Sequence, residues 1–205
     1  MTGVLGVRRG TVAPRRAEVG ALADPSTVKD MEGMANRLAT LNARFNASGD
    51  RRGLFTAVYA PCVRRLVTEI RAGHVEDPAT AERVVLALGK SYLQGLQRDG
   101  RGPAGGPGST WDSFTRLAAD PSVSDARLLA SSINAHWSGD LAGALVTGKA
   151  GPAFEKDFQT MGGFLVDEVQ RGFAQPDGPN GKRVADVFAS QPALSAMQRV
   201  FGLDG

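Results

Sequence analysis

Apolar residues recur every three or four positions along most of the chain, which is the spacing of one face of an α-helix. The first such pattern begins after Asp24-Pro25-Ser26, which resembles a helix start, and it ends at Ser48-Gly49-Asp50. The second pattern runs from Leu54 to Ile70 with Pro61 inside it, where a kink or a restart is expected because proline lacks the amide proton. These patterns predict two long helices in the first third of the chain.

Helical spacing continues to the end of the sequence. Asp77-Pro78 reads as an N-cap followed by the first residue of a third helix. Further helices are predicted over 110–119 and 124–147, then from Phe154 to Val169, and finally from Val184 to Phe201 with an interruption at Pro192. Because no segment alternates as a strand would, the sequence predicts an all-α, single-domain multi-helix bundle.

Composition changes this picture at two places. Residues 1–23 contain glycine, arginine and proline without periodicity and are predicted to be a disordered basic arm. Residues 24–205 are predicted to form the single helical domain, and residues 100–109, with five glycines and two prolines, to be a flexible connection. We favour a linker over a lid for this connection.

The net charge of +3 is concentrated in the predicted arm. Residues 1–23 hold four arginines against one glutamate, and removing them from the 24 basic and 21 acidic residues leaves 20 of each. A balanced domain does not indicate a specific nucleic-acid partner. The lone Cys62 lies in an apolar stripe and is expected to be a buried thiol. With no apolar run long enough to span a bilayer and no secretory signal pattern, a cytoplasmic protein is expected.

The nonapeptide 133–141 is the most informative stretch, because it places ionisable residues on an apolar helix face. Asp140 falls within an arc formed by Ile133, Trp137 and Leu141, and His136 lies four residues before it at the edge of that arc. A carboxylate in such a position either has partners or has a raised pKa.

Several explanations for Asp140 are open. His136 could donate to it and tie the helix to a neighbour, or an arginine such as Arg83 or Arg116 could form a buried salt bridge with it. The third explanation is a functional pocket. A metal site is weakly indicated, because His74 is the only other histidine and no second His/Asp pair, HExxH or cysteine pair exists. We therefore expect no metal ligands.

Known catalytic and cofactor motifs are missing from the sequence. It contains neither GxSxG nor a glycine-rich phosphate loop before a helix. We expect no cofactor.

The order of several elements resembles a helical family of unknown function, domain-of-unknown-function family 5995, which is known mostly from actinobacteria. The resemblance covers roughly residues 27–170 and rests on Phe55–Tyr59, Gly73–Pro78, Tyr92 and, most specifically, Ile133–His136 with Asp140-Leu141 and Ala144-Leu145. In that family we expect a polar residue, often histidine, where this chain has Gly139, and an asparagine near Gly162. The resemblance leaves Asn134, His136 and Asp140 as the matching polar set and supplies no reaction.

These residues lead to two functional hypotheses. The first is a cofactor-independent lyase- or cyclase-like acid–base enzyme that acts on a small organic metabolite, in specialised metabolism, by elimination or intramolecular cyclisation, with Asp140 and His136 as catalytic residues. The second is a non-catalytic helical module that binds a small molecule or a partner protein. A homodimer or a heteromer stays open. The expected substrate-binding residues are Asn134, Trp111, Trp137, Tyr59, Tyr92 and Arg116.

Overall fold

Helices make up the regular structure of the computed structural model, which describes residues 16–101 and 110–189. Within these two ranges there is no β-strand, and the predicted all-α bundle is confirmed. The helices are α1 (Arg16–Leu22), α2 (Met31–Ser48), α3 (Gly53–Arg71), α4 (Pro78–Arg101), α5 (Thr110–Ala119), α6 (Asp125–Asn134), α7 (Leu141–Gly148), α8 (Glu155–Ala174) and α9 (Gly178–Phe188). A π-helical segment, Ala135–Asp140, joins α6 to α7, and 3₁₀ turns occupy Pro25–Thr27 and Pro152–Phe154.

The first long helix was predicted to start at Asp24-Pro25-Ser26, but the structure has only a short 3₁₀ turn there. Asp24 caps only the 3₁₀ turn, where its side chain accepts a hydrogen bond from the backbone N–H of Ser26. The long helix α2 instead begins after Asp30, whose carboxylate accepts from the backbone N–H of Gly33 at 2.7 Å. Both aspartates offer the same capping chemistry, so the local signal did not distinguish them.

Other predicted boundaries are confirmed. Gly49 ends α2 with φ at 68°, in the left-handed region that favours glycine. Asp77 caps α4 by accepting from the backbone N–H of Thr80 at 2.9 Å, and Pro78 is the first helical residue. Pro61 does not divide the second predicted helix, since α3 continues through it from Gly53 to Arg71.

The structure differs from the predicted disordered arm at residues 16–23, while residues 1–15 lie outside the described part. Residues 16–22 form α1, which packs against α4. Val19 and Ala23 are completely buried in the core. A seven-residue helix has too few apolar positions for their spacing to be recognised as helical in the sequence.

The core is organised around α3 and α4. Helix α3 packs against α2, α8 and α9, and α4 packs against α1, α5 and α7. The residues 190–205, which hold the predicted interruption at Pro192, lie outside the described residues, and so do positions 102–109 of the predicted connection 100–109. Positions 100 and 101 were predicted to be part of this connection but form the end of α4. No helix among the described residues is long and apolar enough to cross a membrane.

A buried carboxylate fixes the start of α4. Asp157 of α8 is 2% exposed, and its two oxygens accept from the backbone N–H groups of Glu76 and Asp77, each at 2.7 Å. Charged hydrogen bonds to otherwise unpaired N–H groups stabilise a helix start. Because α4 carries Tyr92 and packs against the π segment, this contact also holds one wall of the site described next.

Candidate functional site

The π-helical segment carries both ionisable residues of the sequence motif. Ala135–Asp140 interrupts the predicted helix 124–147, with His136 near its beginning and Asp140 at its end. Short π segments of this kind occur frequently at functional sites. Helical spacing correctly predicted that both side chains face inward, but it did not predict the change of helix type.

Asp140 is held by a tryptophan from another helix. The indole Nε1 of Trp111, in the first turn of α5, donates to Asp140 Oδ2 at 2.7 Å. Trp111 is 1% exposed and the Asp140 side chain is 11% exposed. Trp111 can approach α4 closely because Gly95 lies there; a Cβ at position 95 would come within 2.6 Å of the indole Cγ.

Burial and its neighbours set the protonation of Asp140. Loss of hydration raises the pKa of Asp140 to about 6, against an ordinary value of 3.8. The Trp111 hydrogen bond and the positive charge of Arg98 both lower this pKa and only partly offset the burial. The carboxyl group can therefore bind and release a proton close to neutral pH.

His136 is buried among aromatic rings rather than paired with an acid. Its Nδ1 lies 4.0 Å from Asp140 Oδ2, too far for a hydrogen bond. Its ring contacts Tyr59 and Phe55, with centroid distances of 4.5 and 5.2 Å. Burial lowers the pKa of His136 to about 3, so the imidazole is neutral at physiological pH.

Three buried polar atoms at this site have no hydrogen-bond partner. They are the hydroxyl oxygens of Tyr59 and Tyr92 and Nδ1 of His136. Burial raises the pKa of both tyrosines, so both hydroxyls keep their protons. Since unpaired buried polar groups destabilise a fold, these three atoms are places where a water molecule or a polar ligand group would be stabilised.

A small cavity of about 40 Å³ lies beside His136 and Tyr59. Its other walls include Trp137, Leu141, Phe158 and Met161. Sites for small organic molecules usually measure about 300 to 1,000 Å³, so this cavity has room for little more than one water-sized group.

The structure brings together most, but not all, of the predicted site residues. His136, Asp140, Trp111, Tyr59 and Tyr92 form one cluster through the contacts above and a 4.8 Å Tyr92–Trp111 ring contact. Trp137 lies at its edge, where it is half-buried and its ring centroid is 6.1 Å from that of Phe158.

Asn134 and Arg116 do not belong to this cluster, contrary to the prediction. Asn134 is exposed, and its side-chain oxygen accepts from the hydroxyl of Ser138 at 3.1 Å. Arg116 is exposed on α5. Asn134 sits at the limit of the apolar arc, where a small rotation of the helix decides between core and solvent.

Among the described residues no arginine forms a salt bridge with Asp140, so the salt-bridge explanation is wrong. Arg83 donates instead to the backbone oxygen of Gly148 at 3.0 Å and to the hydroxyl of Thr80 at 2.7 Å. The cation whose charge acts on Asp140 is Arg98, on the same helix as Tyr92. The sequence around Arg98 did not indicate this effect on Asp140, because the two residues are 42 positions apart and are brought together only by the fold.

Both positions that depart from the expected family pattern lie at the site. A Cβ at Gly139 would come within 2.6 Å of Thr110 Cγ2, so the close approach of Thr110 leaves no room for a side chain there. Gly162 lines the small cavity. Among the described residues, no group of three or more His, Cys, Asp or Glu residues is arranged to hold a metal ion.

Comparison with known proteins gives a family but no activity. No curated protein and no solved structure matches the chain. The model of a family of unknown function, DUF5995, matches residues 31–194, which include every helix from α2 to α9. The chain therefore belongs to the family of unknown function DUF5995.

Proposed function

We propose that this protein is a cofactor-independent acid–base enzyme in which Asp140 exchanges a proton with a small organic substrate, in an elimination or an intramolecular cyclisation. The observation that supports the proposal is a buried carboxyl group with a pKa of about 6, held by Trp111 and close to the unpaired Tyr59 hydroxyl and His136 Nδ1. A general acid or base works best when its pKa lies near the operating pH.

The two oxygens of Asp140 would have different tasks. Trp111 occupies Oδ2 with its indole N–H, which fixes the orientation of the carboxylate. Oδ1 would accept a proton from the substrate, and the same carboxyl group would return it to the departing or newly formed group. The enzyme therefore ends each cycle with the proton it began with, as both an elimination and an intramolecular cyclisation require.

The unpaired neighbours would bind the reacting atoms. The Tyr59 hydroxyl keeps its proton and would donate a hydrogen bond to a substrate oxygen on which negative charge develops. Nδ1 of neutral His136 would accept a hydrogen bond from the substrate or orient it. Each group would then gain the partner that it lacks in the unliganded fold.

Substrate binding requires the cavity to widen and to extend to Asp140, which is not among the residues that line it. Phe158, Met161 and Leu165 form part of its wall, and their apolar side chains can rotate without breaking a hydrogen bond. Opening of this kind is common in enzymes that exclude water from the reacting groups.

An untargeted turnover experiment tests the proposal. Purified protein is incubated with a metabolite extract, and mass spectrometry compares the wild type with Asp140→Asn and with Asp167→Asn. Asp167 is an exposed aspartate on α8 and serves as the matched control. We expect a metabolite to be converted by the wild type and by Asp167→Asn, and at least a hundredfold more slowly by Asp140→Asn. Equal conversion by a folded Asp140→Asn protein would remove Asp140 from the chemistry.

A binding module without catalysis is the second candidate, because a buried carboxyl group held by Trp111 beside neutral His136 could also recognise a ligand without reacting with it. Under this alternative a metabolite from the same extract would bind and be recovered unchanged, and Asp140→Asn would alter its affinity without any difference in product.

A further inference from the structure

A second and much larger cleft lies along another face of α3, away from Asp140. Its volume is about 390 Å³, within the usual range of small-molecule sites, and helices α2, α3, α8 and α9 form its walls. None of the residues that line it belongs to the cluster around Asp140. Its chemistry can therefore be considered independently of the proposed enzymatic site.

Small apolar side chains form the floor and one rim of this cleft. Ala57 and Val58 of α3 and Val169 of α8 form the floor, and the exposed Ala39 and Ala43 of α2 form the rim. Small side chains on packed helices leave a shallow apolar surface that suits a flat or compact ligand. The body of the ligand should thus be mostly apolar.

Pro61 adds a hydrogen-bond acceptor to this floor. Proline has no N–H, so the backbone carbonyl of Ala57, four residues earlier in α3, lacks its usual helical donor. Ala57 and Pro61 are on the same face of the helix and both line the cleft. An N–H group of a ligand can supply the hydrogen bond that the helix does not.

Both arginines at the rim have an acidic partner. Arg64 lies 3.6 Å from a carboxylate oxygen of Glu32, which also pairs with Arg71 at 2.8 Å, and donates to the side-chain oxygen of Asn36 at 2.9 Å. Arg171 lies 3.1 Å from a carboxylate oxygen of Glu168. The charge of Arg171 is therefore compensated, and that of Arg64 in part.

Asp177 is the remaining charged residue of the rim and, unlike the others, it has no partner of opposite charge within the described part of the chain. It occupies the N-cap position of α9, yet its side chain makes no capping hydrogen bond. Among the described residues it forms no ion pair within 4.0 Å, while it lines the cleft. The cleft thus carries an uncompensated carboxylate at its edge, which favours a cation.

We propose that this cleft binds a compact, mostly apolar amine. The apolar body lies on the floor of small side chains, the protonated amine pairs with Asp177, and an N–H group of the ligand donates to the Ala57 carbonyl. This site is separate from the one proposed to act on a substrate, and either proposal can fail without the other.

Three matched probes test the class of ligand on the full-length chain. Tryptamine, tryptophol and indole-3-propionate share an indole and differ in ending as a cation, a neutral alcohol or an anion. Isothermal titration should show tryptamine binding with a Kd of about 1 mM or tighter and about two- to fivefold tighter than the other two, as expected for one exposed ion pair. No binding of tryptamine at millimolar concentrations, or equal binding of all three probes, would overturn the proposal.

Variants locate the binding. Asp177→Asn should weaken tryptamine binding about two- to fivefold, and Ala43→Trp should abolish it by filling the cleft, whereas Asp167→Asn should leave it unchanged. Circular dichroism shows whether each variant is folded. If Ala43→Trp does not fold, the result for Asp177→Asn decides the test. Unchanged affinity in folded Asp177→Asn would contradict the assignment of the amine to this cleft.

Discussion

Trp111 and Asp140, 29 residues apart in sequence, meet through a 2.7 Å hydrogen bond from the indole Nε1 to Oδ2. The bond connects the start of α5 to the π-helical segment and holds a largely buried carboxylate in one orientation. It also favours the ionised form of Asp140, against the effect of burial. The site and the packing of α5 therefore depend on the same contact.

Replacing Trp111 by phenylalanine tests this double role. Trp111→Phe keeps an aromatic ring in the core but removes the donor, and it should lower the free energy of unfolding by about 2 to 3 kcal/mol. Urea unfolding of Trp111→Phe, Asp140→Ala and the double variant measures the coupling between the residues. Additive effects of the two changes would show that the hydrogen bond contributes nothing to stability.

Asp140→Asn should make the protein more stable at neutral pH. Burial raises the pKa of Asp140 to about 6, so the folded state binds its proton more tightly than the unfolded state, where the ordinary value of 3.8 applies. Below pH 3.8 both states are protonated. The destabilisation from this group therefore develops as the pH rises from about 4 to 6, and it is complete above about 6.

The size of that effect follows from the shift. One pKa unit corresponds to about 1.4 kcal/mol, and after allowance for the partial exposure of Asp140 we expect Asp140→Asn to gain about 1 to 2 kcal/mol at pH 7. Near pH 4 the gain should disappear. Urea unfolding at both pH values provides the comparison, with Asp167→Asn as the control, and a gain of equal size at both would refute the electrostatic explanation.

His136 should contribute a pH dependence of the opposite sign. Burial lowers the pKa of His136 to about 3, so between pH 6.5 and 3 the unfolded state takes up a proton that the folded state does not. The contribution of this group to stability is present above about pH 6.5 and is lost as the pH falls. His136→Phe, which fits among the rings of Phe55 and Tyr59, should therefore lose less stability between pH 7 and 5 than the wild type. Parallel pH profiles of the two proteins would contradict this prediction.

Two glycines offer a matched comparison of packing. A Cβ at Gly139 would come within 2.6 Å of Thr110 Cγ2, whereas nothing lies within 4 Å of a Cβ at Gly143. Gly143→Ala should raise the melting temperature, because alanine stabilises an open helical position by up to about 1 kcal/mol. Gly139→Ala should lower it by displacing Thr110 and the neighbouring Trp111. An equal rise in both variants would show that Thr110 yields freely.

Much of the fold was predictable because its signals are local. Asp77 and Pro78 mark the start of α4 by capping chemistry, and Gly49 ends α2 through its left-handed conformation. The inward direction of Asp140 followed from helical spacing alone, since periodicity places a side chain on a face without knowledge of its neighbours.

Contacts between distant residues explain what sequence analysis missed. Trp111 was expected only as a wall of the site, and its role as the donor to Asp140 became visible once α5 was placed against the π segment. The influence of Arg98 on Asp140 and the burial of Val19 in α1 likewise depend on tertiary packing. Asn134 was predicted to face the site but is exposed, because helical spacing does not decide the direction of a residue at the edge of an apolar face.

The ionisation of Asp140 in the folded protein is the most direct test of the central claim that this carboxyl group exchanges protons near neutral pH. Nuclear magnetic resonance of the aspartate side-chain carboxyl carbons, with Asp140→Asn to assign the signal, follows its titration between pH 3 and 8. We predict a midpoint near pH 6. A midpoint near or below the ordinary value of 3.8 would contradict the claim, because Asp140 would then be a fully ionised structural carboxylate at neutral pH.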